Sequence, residues 1–190
     1  MIKIWQIVVI HQLIFQGMFV LKNIILHKKS GKQIRGNNIE ANISIAFFIL
    51  FIGTSVWISF LDKPFGEIYL LNRFSAMTLG FIFLFLNFVM STASLINLKD
   101  SWRVGVVENQ KTTLITSGVY RYTRNPYFVS YLLMFIAYTV FLQNLILLGQ
   151  SIIGFVFVHW MIKKEEKYLY SVHGDAYRQY IKKVPRYLWI

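Results

Sequence analysis

The sequence predicts an all-α integral membrane protein with five transmembrane helices and a cytoplasmic helical tail. Three observations carry this. Of 190 residues, 56% are hydrophobic and the mean hydropathy is +0.50, more apolar surface than a soluble chain of this length can bury. The apolar residues fall in runs that approach or exceed the ~18 residues of a membrane-spanning helix. The runs are also continuous, whereas strands of a membrane barrel alternate apolar and polar positions.

The first run covers about Ile4 to Leu26. It is too long for the apolar core of a signal peptide, and no small-residue cleavage site follows it. Gln12 and Gln16 lie four apart, on one helical face, and are expected to pack inside the bundle. A basic loop with Lys28, Lys29, Lys32 and Arg35 comes next. The second run is about Ala41 to Leu61, closed by the turn residues Asp62, Lys63, Pro64 and Gly66. The third is about Phe74 to Leu98. These three helices make up residues 1–98.

Residues 99–190 form a second region. Its polar segment, Lys99 to Pro126, precedes a fourth run, Tyr127 to Leu142, that is short for a hydrocarbon core of ~30 Å. Gln143 and Asn144 separate it from a fifth run, Leu145 to Ile162, and a two-residue break predicts a tight antiparallel hairpin. The tail is expected to continue the fifth helix into water. Gly174 is positioned as a C-cap and Asp175 as an N-cap of a further short helix. On that helix Tyr177, Tyr180 and Ile181 share one face, and Pro185 ends it.

The formal charge is +12. In a soluble chain that would suggest nucleic acid. Here it is the signature of basic residues gathered in cytoplasmic loops, and no nucleic-acid partner is expected. Five spans put the first loop, the central segment and the tail on one side, with most of the Lys and Arg. Lys3, Lys63 and Arg73 fall on the other. The N-terminus is therefore predicted outside and the C-terminus in the cytoplasm. There is no Cys, and the four His are scattered without ligand spacing, so no metal site is expected.

Two blocks carry the candidate chemistry. The central segment reads G-V-Y-R-Y-T-R-N-P from Gly118 to Pro126. The tail has E-E-x-x-L from Glu165 to Leu169, then Gly174, Tyr177, Tyr180 and V-P-R from Val184 to Arg186. Each feature has a structural reading: positive-inside arginines, a Pro-started helix, a solvated charged face, an interfacial tyrosine belt. In this order, on either side of a short hairpin, the blocks resemble the isoprenylcysteine carboxyl methyltransferase family and its relatives among the phospholipid methyltransferases. The resemblance runs from about Trp102 to Arg186.

It implies a membrane-embedded methyltransferase that uses S-adenosylmethionine and a lipid or lipidated acceptor. The cofactor would lie in a cytoplasmic pocket closed by the tail. By resemblance, Thr112, Thr113, Leu114 and Ile115 contact the cofactor, as do Tyr120, Asn125, Pro126, Tyr127 and Phe128. Glu165 completes the site. The residue types suit such a ligand. Aromatic rings can stack on adenine or sit by a sulfonium, Glu165 can bond ribose hydroxyls or an ammonium, and Arg124 can hold a carboxylate. Arg124 and Glu165 are the candidate catalytic pair. The chain departs from the family pattern at Asn125, where His is common, and at Phe128, where Tyr is common. It also departs at Met161, where the carboxyl methyltransferases have an acceptor-binding Arg.

Two other classes fit parts of the pattern. An NADPH-dependent membrane reductase of the sterol type shares an R-H-P-x-Y block, but commonly has Glu where this chain has Tyr131. A non-catalytic lipid-binding protein would need only the fold.

Overall fold

The computed structural model describes residues 3–31, 39–61, 65–103 and 113–188. Five helices carry the chain: α1 (Ile4–Ser30), α2 (Ile39–Phe60), α3 (Arg73–Leu98), α4 (Pro126–Leu142) and α5 (Leu145–Lys183). Among the described residues the only β pairing is an isolated bridge between Glu67 and Asn144. Four helices, α1, α2, α3 and α5, are long and apolar enough to cross a membrane. α4 is apolar but has 17 residues, about 25 Å at ~1.5 Å per residue. α5 continues well past the apolar run ending at Ile162, in line with a fifth helix that extends into the tail.

The hairpin is tight, as its two-residue break predicts. Gln143 closes α4 in the left-handed conformation (φ 41°), with its N–H on the Thr139 carbonyl at 2.8 Å. Asn144 caps α5 by accepting from the Ile146 N–H at 2.9 Å. The segment before α3 is bonded to this turn: the Ile68 N–H donates to the Gln143 carbonyl and the Leu145 N–H to the Gly66 carbonyl, both at 2.8 Å. Satisfying these groups internally suits a short helix whose end lies near the lipid interface.

α4 is the central helix. It packs most extensively on α3, then on α5, while α2 packs on α5. Small residues allow the close approaches. A Cβ on Gly80 of α3 would meet the Phe141 ring at 2.5 Å, and one on Gly154 of α5 would meet Phe135 at 2.6 Å. Aromatic side chains fill the core, with Phe15, Phe51, Phe135 and Tyr138 fully buried. Large apolar side chains such as Leu13, Leu50 and Phe85 are exposed on the outer surface, as lipid-facing helices require.

Gln12 and Gln16 do point inward. Gln12 donates to the Tyr138 hydroxyl at 2.8 Å, and Gln16 to the Gln12 amide oxygen at 3.3 Å. His11 joins them, bonded to Tyr138 at 2.6 Å and to Asn87 at 3.0 Å. Asn87 in turn donates to the Ser130 carbonyl at 2.6 Å. This buried polar cluster ties α1, α3 and α4 together at a depth where unpaired polar groups cost several kcal/mol, roughly.

At Gly174 the helical backbone breaks (φ 50°, ψ −123°), so α5 consists of two helices meeting at a kink, as the expected Gly174 C-cap requires. Glycine takes this φ without steric cost. Asp175 faces Arg178 at 3.7 Å beyond the bend. The buried face of the terminal part differs from expectation at one position. Tyr177 and Tyr180 are buried, but Ile181 is exposed, and Val184 completes the face against Leu114 and Leu169. Val184 is extended, as the residue before a proline tends to be, and the helix stops there.

Candidate active site

The candidate site assembles where the central segment, the end of α3, the start of α4 and the polar part of α5 meet. The apolar part of α5 ends at Ile162, so Glu165 and Glu166 lie past the spanning portion. The central segment reaches its place through a 3-10 turn, Gly118–Arg121, with Gly118 at φ 63°. Asn97, at the end of α3, lies over that glycine and accepts from the Val119 N–H at 2.8 Å. A Cβ on Gly118 would sit 1.9 Å from the Asn97 side-chain oxygen. Only glycine meets both constraints.

Tyr120 follows in the turn and is buried, its hydroxyl 3.0 Å from Ser94 of α3. The tail closes over it, with the Tyr180 hydroxyl donating to the Tyr120 carbonyl at 2.6 Å. Next come Thr123, Arg124 and Asn125, which bind the tail directly. The Arg124 N–H donates to the Pro185 carbonyl at 2.9 Å, and the Thr123 hydroxyl to the Arg186 carbonyl at 2.9 Å. Pro126 then starts α4, where its missing N–H costs nothing.

The acidic pair divides its work. Glu166 is buried and gripped by two guanidiniums. Arg124 donates to one oxygen through Nε (3.1 Å) and Nη2 (3.0 Å), and Arg186 to the other through Nη2 (2.8 Å). Burial opposes the charge of Glu166, but the Arg186 and Arg124 bonds outweigh it and hold the carboxyl below its usual range. Glu165 makes no ion pair among the described residues. It lines a cavity, where burial and then the neighbouring charge of Glu166 push its carboxyl up to about 7.

That cavity brings together most of the residues singled out in the sequence. Thr113, Leu114, Ile115, Tyr120, Arg124, Asn125, Tyr127, Phe128 and Glu165 all line it. Pro126 is buried but not on the wall, and Thr112 lies outside the described residues. Met161, one helical turn before Glu165, is on the wall too. The cavity volume is about 140 Å³ by the measure in which one water needs roughly 10–15 Å³, so it has room for an organic ligand. Its wall is rich in aromatic rings, and among the described residues it carries one carboxylate, Glu165.

Arg124 is on the wall, but its guanidinium is committed. Besides Glu166 it donates to the carbonyls of Val184 at 2.7 Å and Ile181 at 3.3 Å. The carboxylate it holds is thus the protein's own. Asn125 donates from its side chain to Glu166 and to the Arg186 carbonyl, at 3.3 and 3.2 Å. These bonds need an amide N–H and no titration, which suits Asn in place of His.

Two parts of the wall have no counterpart among the residues read from sequence. One is a face of α2, Ala41, Ser44, Ile45 and Phe48. Its three- and four-residue spacing marks one helical side, but nothing local distinguishes it from a lipid-facing side. The other is Ser101, Trp102 and Arg103 at the end of α3. Trp102 is buried and donates to Asn23 of α1 at 2.7 Å, anchoring this corner.

A bundle of helices, four of them long and apolar enough to cross a membrane, with a largely aromatic cavity at its polar end, fits a membrane protein with a site for a small organic ligand. Residues 75–176 match the family described as phospholipid methyltransferase, and the chain belongs to that family. Its activity by family is methyl transfer, which requires a methyl donor. Over 161 residues the chain is 29% identical to a protein-S-isoprenylcysteine O-methyltransferase of Schizosaccharomyces pombe, covering 73% of this chain and 68% of that one. A Xenopus laevis protein of the same name is 38% identical over 84 residues, 42% of this chain and 29% of that one. An uncharacterised Haemophilus influenzae protein is 44% identical over 62 residues, 32% of this chain and 98% of its own length. These matches favour methyl transfer over the reductase and lipid-binding readings.

Proposed function

We propose that the chain transfers the methyl group of S-adenosylmethionine to a lipophilic acceptor held in the membrane. The observation that carries this reading is the cavity wall, where aromatic rings accompany Glu165, a carboxylate with no ion-pair partner among the described residues. That combination suits a cationic ligand bearing a flat ring. Tyr120, Tyr127 and Phe128 would pack against adenine or the sulfonium, and Glu165 would face the positive charge or the ribose hydroxyls. Thr113, Leu114 and Ile115 supply backbone groups along the same wall. S-adenosylmethionine supplies an activated methyl group, so the protein's task is to hold an acceptor in line and exclude water.

Arg124 acts in this reading as a positioning residue. Through Glu166 and Arg186 it fastens the tail across the cavity. The acceptor is a lipid or lipidated molecule reaching the cavity from the bilayer, where the α2 face forms the wall. A prenylated cysteine carboxylate and a phospholipid amine are the two chemistries weighed. Five crossings, with the cavity and tail cytoplasmic, agree with the distribution of basic residues. Titration of purified protein with S-adenosylhomocysteine tests the reading. Micromolar binding, weakened by Glu165→Gln, is expected. No binding at millimolar ligand refutes it.

A further inference from the structure

We propose that Arg103 is the carboxylate-binding residue of the cavity, an assignment that rests on the methyltransferase reading above. Among the described residues three guanidiniums, Arg103, Arg124 and Arg186, belong to the cavity or its frame. Two of them, Arg124 and Arg186, are used up by Glu166. Arg103 stands differently. It follows Trp102 at the end of α3 and lines the cavity. Its Nη1 donates to the carbonyls of Asp100 at 3.1 Å and Trp102 at 2.8 Å, which fixes the plane of the guanidinium. Its Nε is shielded from solvent and has no hydrogen-bond partner among the described residues.

A charged donor in that state is costly unless a ligand or water completes it. The wall holds a second orphan of the same kind. The Ser44 hydroxyl on α2 is fully buried, lines the cavity and bonds nothing among the described residues. Two unsatisfied polar atoms on one wall mark a cavity shaped for a polar group that is not part of the protein. A guanidinium with a free edge selects a planar carboxylate, which can take two parallel N–H bonds. With Glu165 also lining the cavity, Arg103 adds an uncommitted guanidinium edge to a carboxylate, the complement of a zwitterion.

The carboxylate has two possible sources, the amino-acid end of the methyl donor or a carboxylate acceptor. Calorimetric titration separates them. Wild type and Arg103→Gln are each titrated with S-adenosylhomocysteine and with its decarboxylated analogue, then with a prenylated cysteine and its carboxamide. Loss of one charge-assisted contact is expected to weaken the carboxylate-bearing ligand about 10–100-fold, with its carboxylate-free partner unchanged. The pair showing this difference identifies the source. The ratio within one variant does not depend on how much of it folds. Arg103→Lys should recover part of the loss, and the exposed Arg178→Gln none of it. Equal binding of both members of both pairs to Arg103→Gln and wild type overturns the assignment. Failure of wild type to bind S-adenosylhomocysteine at all overturns the methyltransferase reading, and this assignment with it.

Discussion

Replacing Glu166 by Gln tests whether the tail is fastened over the cavity by a buried ion cluster. The side chains of Arg124 and Glu166 are 8% and 10% exposed, that of Arg186 31%. Gln keeps the shape but removes the charge, and its amide nitrogen meets a guanidinium donor instead of accepting from it. Removing one partner of a buried pair costs about 3–5 kcal/mol. The lower end applies, because Arg186 reaches water and Arg124 keeps the Val184 and Ile181 carbonyls. The cost falls on tail docking, since the bonds weakened join Glu166 to Arg186 and to Arg124 and Asn125, which themselves hold tail carbonyls. The assay is hydrogen exchange in detergent. Amides of residues 175–184 should exchange about 100-fold faster for a loss of roughly 3 kcal/mol, while those of α3 and α4 stay protected. Glu165→Gln, one residue away, should leave tail exchange unchanged. Equal tail protection in Glu166→Gln and wild type would refute the reasoning, as would uniform loosening of the whole bundle.

Glu165 gives a pH prediction. Its folded carboxyl is raised to about 7 from an ordinary 4.5, so the ligand-free protein holds its proton more tightly than the unfolded chain does. Its contribution to stability is therefore full below pH ~4.5 and lost as pH rises through about 7, opposite to an ion-paired carboxylate. Thermal midpoints of wild type and Glu165→Gln across pH 5–8 should show a slope in the first that is missing in the second. Gly118→Ala forces a Cβ against Asn97 at a positive φ, and should cost at least ~1–2 kcal/mol and lower cofactor affinity in calorimetry. Unchanged stability there would contradict the turn geometry. A C-terminal tag should be shielded from external protease in intact cells, and digestion from outside would reverse the proposed topology.

The motif blocks were legible because chemistry and position coincide in them. Gly118, Arg124, Asn125 and Glu165 stand out as polar or conformationally special residues between apolar runs, and the structure places them around one cavity or in its frame. Roles within the blocks were less legible. Sequence puts Glu165 and Glu166 side by side, but helical phase turns one toward the cavity and the other toward two arginines. Arg124 looks free for a ligand until the tail carbonyls are seen beside it.

What the sequence alone determined was whatever depends on local composition: apolar runs long enough for helices, the two-residue hairpin and the break at Gly174. Those follow from the cost of bare backbone in lipid and from helix-capping chemistry, which act within a few residues. Tertiary structure decided which polar groups are spent and which are spare. Glu166 is neutralised by residues 42 and 20 positions away, and α2 joins the wall from more than 50 residues before the central segment. Among the described residues Arg103 keeps an unpaired Nε, whereas Arg124 and Arg186 are both engaged by Glu166. A charge's availability is set by its neighbours in space, and no local pattern records them.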